Sequence, residues 1–163
     1  MARNVGLAAR SPRPVPERLR GGARSWGVRL TCPTPRRGHV IAAEFDDALF
    51  ERITSVCAAV AEIETISIKR PNWISSVGRT GVWVETERSR ARGSGPQLVP
   101  AWMIAVAWDR LCKNGTLSQA ELLNELNVKR SAFVCAVLAQ FPDVIVRQDR
   151  PGVLERVANS RSA

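Results

Sequence analysis

Glu85 and Glu87 have the spacing in this chain that could support metal chemistry. Two acids separated by one residue share a face of a strand, and with a nearby lysine such a pair can hold the catalytic metal of a nuclease. Here the next residue is Arg88, and no upstream acid is placed to complete the ligand set. The pattern therefore does not support a nuclease site.

Histidine and cysteine are also poorly placed for catalysis. The only histidine, His39, lies in a segment without periodicity, so we expect no Ser–His or Cys–His pair. The cysteines Cys32, Cys57, Cys112 and Cys135 are far apart and include no CxxC pair, which disfavours a zinc site. The last three lie among apolar residues of predicted helices, which is typical of buried, reduced thiols. We expect no enzyme activity, cofactor or metal.

The positive charge of the chain is concentrated at one end. The 163 residues carry a formal charge of +9. Residues 1–39 hold nine arginines and one acid, Glu17, which is +8, whereas the other 124 residues hold 15 basic and 14 acidic side chains. The high pI therefore does not indicate that the globular part attracts phosphates.

Residues 1–39 are predicted to be a disordered basic leader, because arginine, proline and glycine dominate them. Three interpretations stay open: a basic arm on the nucleic-acid backbone, an organelle transit segment, or no functional element, such as an extension upstream of the true start. The composition favours the last. No stretch approaches the roughly 20 apolar residues of a membrane span, and residues 1–30 lack the apolar core of a secretory signal. We therefore expect a cytoplasmic protein without a membrane partner.

Residues 40–95 are predicted to hold one long helix, a small antiparallel sheet and a linker. Apolar residues step by three and four through residues 44–64, which predicts a helix with one buried face. Alternation around the turn at residues 78–81 predicts a hairpin over residues 73–86, and residues 88–99 are typical of a linker. The linker arginines could track phosphates, although exposed linker charge is the commoner explanation.

Trp73 lies among four basic residues of the predicted sheet, which are Lys69, Arg70, Arg79 and Arg88. Such a group could form an aromatic and basic patch on a nucleic-acid backbone. The interpretation that we favour is a core tryptophan beside solubilising turn charges.

Residues 96–163 are predicted to form a second unit. An apolar helix runs from Pro100 to Gly115, and Ser118 with Glu121 forms a capping box that starts a short helix. A further helical stripe ends at Pro142, and two short strands flank the turn at residues 147–152. This order of helix, turn, helix and hairpin resembles the winged helix-turn-helix superfamily. The expected fold is therefore α+β, with an N-terminal helix and small antiparallel sheet followed by a winged helix.

The resemblance implies binding of double-stranded DNA, with the second helix of the pair in the major groove. The start of that helix would meet base edges and the wing would hold the backbone, which makes these residues the expected DNA contacts: Lys129, Arg130, Ser131, Gln140, Arg147, Gln148 and Arg150. Phe133 and Ala136 are expected on the same outward face and could touch thymine methyls. The start of the second helix, residues 129–131, and the tip of the wing, residues 147–150, should project outward on a common side of the domain.

The function expected from this pattern is non-catalytic DNA binding, in transcription regulation or as the target-recognition part of a DNA-processing system. The alternative is a protein–protein interaction module, with a protein partner or a homodimer, that uses the winged helix for subunit packing. Two features favour that alternative. The second helix has a long apolar run, AFVCAVLA, and four nearby acids dilute the local positive field: Glu121, Glu125, Asp143 and Asp149.

Overall fold

The protein contains helices and strands in two antiparallel sheets, so the predicted α+β class is confirmed. The structure is a computed structural model and describes residues 44–157; the predicted leader 1–39 lies outside these residues. The helices are α1 (Asp47–Ala59), α2 (Glu87–Ala91), α3 (Ala101–Asn114), α4 (Gln119–Asn124) and α5 (Ser131–Leu138). The strands are β1 (Glu62–Glu64), β2 (Pro71–Gly78), β3 (Gly81–Thr86), β4 (Gln97–Pro100), β5 (Thr116–Ser118), β6 (Val144–Asp149) and β7 (Gly152–Arg156).

Helix α1 follows the predicted stripe but is shorter than expected. The Asp46 carboxylate accepts a hydrogen bond from the Leu49 N–H at 2.8 Å and so caps the first turn. Leu49 and Ile53 are buried on one face, as the periodicity indicates. The helix ends at Ala59 because residues 62–64 pair with β2 as a strand, with Ile63 opposite Asn72.

The first sheet has the strand order β1-β2-β3-β4, all antiparallel. Its predicted hairpin turns at Gly78 and Gly81. Gly81 has φ +149°, and a Cβ there would lie 2.2 Å from the Val99 carbonyl oxygen of the neighbouring strand. The predicted linker 88–99 is wrong at its start and its end, because residues 87–91 are helix α2 and residues 97–100 pair with β3 as β4.

The second sheet has the order β5-β7-β6 and is built entirely from the C-terminal part of the chain. Helix α3 ends at Gly115, whose φ of +75° lets the chain leave the helix in the left-handed region. The Ser118 hydroxyl accepts a hydrogen bond from the Glu121 N–H at 3.0 Å, which is the cap predicted for α4. The elements of this part therefore follow the order α3, β5, α4, α5, β6, β7.

The two parts share one hydrophobic core. Fully buried side chains come from both, including Ile53 and Val82 from the first and Leu111 and Leu154 from the second. Arg52 of α1 forms an ion pair with Asp143, which precedes β6, and its guanidinium lies 4.6 Å from the ring centre of Trp108. Within residues 44–157, no helix has both the length and the apolar character needed to span a membrane.

Candidate nucleic-acid interface

Helix α5, the expected base-reading helix, is buried on almost all sides. Phe133 is 3% exposed and Ala136 is 1% exposed, so the expectation that both face outward is wrong. The reason is packing from several elements, because α3, α4 and β7 of the same part and β1 of the first half of the chain all lie against α5. A base-reading helix must present side chains to the groove, and the buried body of α5 has none to present.

The DNA contacts predicted around α5 therefore do not form one exposed surface. Lys129 is exposed, whereas Arg130 is half-buried and donates a hydrogen bond to Gln97 Oε1. Ser131 is 5% exposed, which removes it from any contact with a base. Gln140 is exposed beyond the far end of α5, and its amide donates back to the Ala136 carbonyl at 3.5 Å. Lys129 is the predicted contact here that remains free to meet a ligand.

The residues predicted for the wing lie at the end of the β6–β7 hairpin, where their side chains are exposed and form hydrogen bonds or an ion pair. Arg147 forms an ion pair with Glu155 at 3.0 Å, and Gln148 donates to the Arg150 carbonyl at 2.6 Å. Arg150 Nε donates to the Ser67 carbonyl at 2.8 Å. This hydrogen bond links the β6–β7 hairpin to the loop between β1 and β2.

The segment 62–70 contacts both helix α5 and the β6–β7 hairpin. Its strand β1 packs on α5, and its loop contacts the wing both through Arg150 and through the Ser67 hydroxyl, which donates to the Asp149 carbonyl at 2.8 Å. Lys69 and Arg70 of this loop are exposed, and their side chains form no ion pair within the described part of the chain. We define the basic rim by its four cations: Lys69, Arg70, Lys129 and Arg150.

Trp73 is not a core residue, so the interpretation favoured from the sequence is wrong. It lies half-buried on the sheet face opposite α1, where the Arg90 guanidinium stacks 3.6 Å from its ring centre and pairs with Glu85 at 3.0 Å. Arg79 lies elsewhere, over the Phe50 ring. The guanidinium that stacks on Trp73 is therefore that of Arg90, which is not among the four basic residues predicted around this side chain.

Glu85 and Glu87 do not share a sheet face, because Glu85 is in β3 and Glu87 begins helix α2. Among residues 44–157, no three His, Cys, Asp or Glu side chains are grouped closely enough to hold a metal ion. This geometry gives no support to a metal-dependent reaction at the acidic pair.

The cysteines of the described residues differ in bonding, because Cys57 and Cys135 are free thiols and Cys112 is not. Burial raises the pKa of Cys57 to about 11 and that of Cys135 to about 12, so both are neutral thiols at neutral pH. Cys112 is disulfide-bonded, and the expectation of a reduced thiol is wrong at this position.

A polar cleft between α2 and β4 was not recognised in the sequence as a site. It has a volume of about 340 Å³ and is lined by Thr86, Arg88, Ser89, Arg92, Ser94 and Gln97. Arg88 and Arg92 had been attributed to linker charge. The signal that could have placed them together is their spacing of four residues, which puts two side chains on one face of a helix.

Comparison with known proteins assigns no family. No protein-family model matches the chain, and neither the curated proteins nor the solved structures include a match.

Proposed function

We propose that the chain is a non-catalytic protein that binds double-stranded DNA through the sugar-phosphate backbone, and that residues 101–156 form a winged helix. The order of elements supports the second statement, because a helix and a short strand precede the helix pair and a two-stranded wing follows it. The strand order β5-β7-β6 places the wing beside the short strand, as in that fold.

The observation that carries the DNA proposal is the basic rim. Lys69, Arg70 and Lys129 are exposed, and none is neutralised by a carboxylate within residues 44–157. The Arg150 hydrogen bond to Ser67 uses its Nε, which leaves its terminal N–H groups free to meet a phosphate. Lys69 and Arg70 lie in the loop that contacts the β6–β7 hairpin, and exposed cations without an ion-pair partner suit contact with the DNA backbone.

Burial of α5 sets the mode of binding. Phosphate contacts fix position on a duplex but carry no sequence information, whereas sequence is read at base edges. Because Phe133, Ala136 and Ser131 are buried, the proposal is backbone contact with little direct base reading.

Fluorescence anisotropy with a labelled duplex at low salt tests the proposal in the full chain. The nine arginines of residues 1–39 are first changed to glutamine, so that the leader does not dominate binding. We expect this chain to bind, and Lys69→Gln with Lys129→Gln to weaken binding about tenfold or more. The control is Arg79→Gln with Lys113→Gln, which removes the same charge from residues already paired with Asp47 and Asp109. Absence of binding, or equal loss in both variants, overturns the proposal.

An assembly module is the second candidate, and the same burial of α5 favours it. The side of α5 that would face a groove is used for packing instead, and β6 is an edge strand that pairs with β7. Ile145 and Val146 of this edge are 48% and 40% exposed. An exposed apolar edge can pair with another chain, so this candidate predicts a dimer in sedimentation velocity that Ile145→Lys dissociates.

A further inference from the structure

The cleft between α2 and β4 is lined without a single carboxylate. The side chains that surround it are two arginines, three hydroxyls and one amide. The Arg88 and Arg92 side chains form no hydrogen bond or ion pair within the described residues. Two cations four residues apart on a helix repel each other, so an anion held between them would remove an existing penalty.

Internal hydrogen bonds engage three of the polar side chains that line this cleft, which are Ser89, Ser94 and Gln97. The Gln97 Oε1 accepts from the Arg130 guanidinium, which can only donate, and this fixes the orientation of the amide. The Ser89 hydroxyl accepts from the Thr86 N–H at 2.8 Å and donates to the Thr86 carbonyl at 2.9 Å. The Ser94 hydroxyl donates to the Ser89 carbonyl at 3.3 Å.

Four of the six lining side chains keep N–H or O–H donors that no hydrogen bond within the described residues uses, namely Thr86, Gln97, Arg88 and Arg92. The Thr86 Oγ1 accepts from the Ser89 N–H at 3.2 Å, so its own proton is free to point into the cleft. The Gln97 amide nitrogen is free because its oxygen is engaged, and the two guanidinium groups contribute further N–H donors. Because two of these donors are guanidinium groups and no carboxylate lines the cleft, the set favours a negatively charged ligand that accepts hydrogen bonds.

We propose that the cleft is a phosphate-binding site. Paired guanidinium groups match the oxygens of phosphate bidentately. The volume of about 340 Å³ is at the lower end for small-molecule sites, which leaves room for a phosphate with an attached sugar. The phosphate could belong to a nucleic-acid backbone or to a free nucleotide.

The backbone source rests on the proposed function, whereas the site itself does not. Arg130 connects the cleft with the basic rim. It donates a hydrogen bond to Gln97 of the cleft and directly follows Lys129 of the basic rim. A duplex that contacts Lys129 could therefore set one further phosphate between Arg88 and Arg92.

Amide NMR of the full chain, titrated with inorganic phosphate and with a nucleoside monophosphate, tests the site directly. We expect saturable shifts confined to residues 86–97 and to the Arg88 and Arg92 Nε–H resonances. Arg88→Ala with Arg92→Ala should weaken this binding about tenfold or more, and the lysine variants of both should recover only part of it, because lysine keeps the charge but loses the planar fork. The control is again Arg79→Gln with Lys113→Gln. Both arginines of the cleft are exposed, so the alanine variant should keep the wild-type melting temperature.

The outcomes separate the site from the proposed function. Shifts elsewhere, no saturation, or equal affinity in the alanine and control variants overturns the phosphate site. Saturable phosphate and nucleotide binding without duplex binding supports the site and refutes the proposed function. Duplex binding that the alanine variant weakens supports both, and identifies the backbone as the source of the phosphate.

Discussion

Asp143→Asn should destabilise the protein more than any surface change, because Asp143 connects the two halves of the chain. Its side chain is 9% exposed and accepts from Arg52 of α1 and from Arg156 Nε of β7 at 3.2 Å. The Arg52 guanidinium also lies against the rings of Trp108 and Phe141, at 4.6 and 4.7 Å from their centres. Neutralising the carboxylate removes the negative charge that both guanidinium groups contact.

The magnitude follows from the burial of the three groups. Removing one partner of a buried ion pair costs roughly 3–5 kcal/mol. Arg52 and Arg156 retain 19% and 23% exposure, so water screens part of the repulsion and the lower end applies. We expect a loss of about 3 kcal/mol, which for a chain of this length lowers Tm by roughly 9 °C.

Urea unfolding followed by tryptophan fluorescence and by far-UV circular dichroism measures this loss. Because both halves share one core, the two probes should report a single transition in the wild type and in the variant. Asp109→Asn is the matched control: it removes the same charge from an exposed pair with Lys113, and we expect less than about 0.5 kcal/mol. A loss at Asp143 no greater than that of the control, or two separate transitions, would refute the single shared core.

Three further predictions concern packing and pH. Phe133→Ala should cost about 3–4 kcal/mol in urea unfolding, whereas Leu123→Ala at a 51% exposed position should cost less than about 0.5 kcal/mol; similar losses would contradict the burial of α5. Gly81→Ala should lower Tm, because its Cβ would lie 2.2 Å from the Val99 carbonyl oxygen, and Gly78→Ala, which meets no atom within 4 Å, is the control. The free energy of unfolding should fall as pH rises from about 9 towards 12, because the unfolded thiols ionise near 9.0 and the unfolded state then binds fewer protons than the folded state. In the folded protein, burial raises the pKa of Cys57 to about 11 and that of Cys135 to about 12. Cys135→Ala should make the fall shallower, and an unchanged pH profile of stability would contradict this prediction.

Local signals in the sequence predicted the elements that local physics determines. The Ser118 cap, the apolar stripe through Leu49 and Ile53 and the hairpin at Gly78 and Gly81 each depend on neighbours within a few residues, and each is present. The order of elements from α3 to β7 also followed from such signals.

Features that depend on distant pairing were not predictable in the same way. The periodicity of α5 indicates one buried face, whereas the structure surrounds the helix with α3, α4, β7 and β1, the last about 70 residues earlier in the chain. The run AFVCAVLA favours a protein interface when only the sequence is considered, and the structure buries most of it within the chain instead. Helix α2 has five residues in a stretch rich in arginine, serine and glycine, so neither it nor the cleft beside Gln97 had a periodic signal.

The salt dependence of duplex binding tests the basic rim most directly. In the chain with the leader arginines changed to glutamine, the logarithm of the association constant is plotted against the logarithm of salt concentration. Each phosphate contact contributes a slope of about −0.9, so Lys69→Gln with Lys129→Gln should make the slope shallower by about 1.8, whereas Arg79→Gln with Lys113→Gln should leave it unchanged. Parallel lines for both variants and the parent chain would contradict backbone binding by this rim.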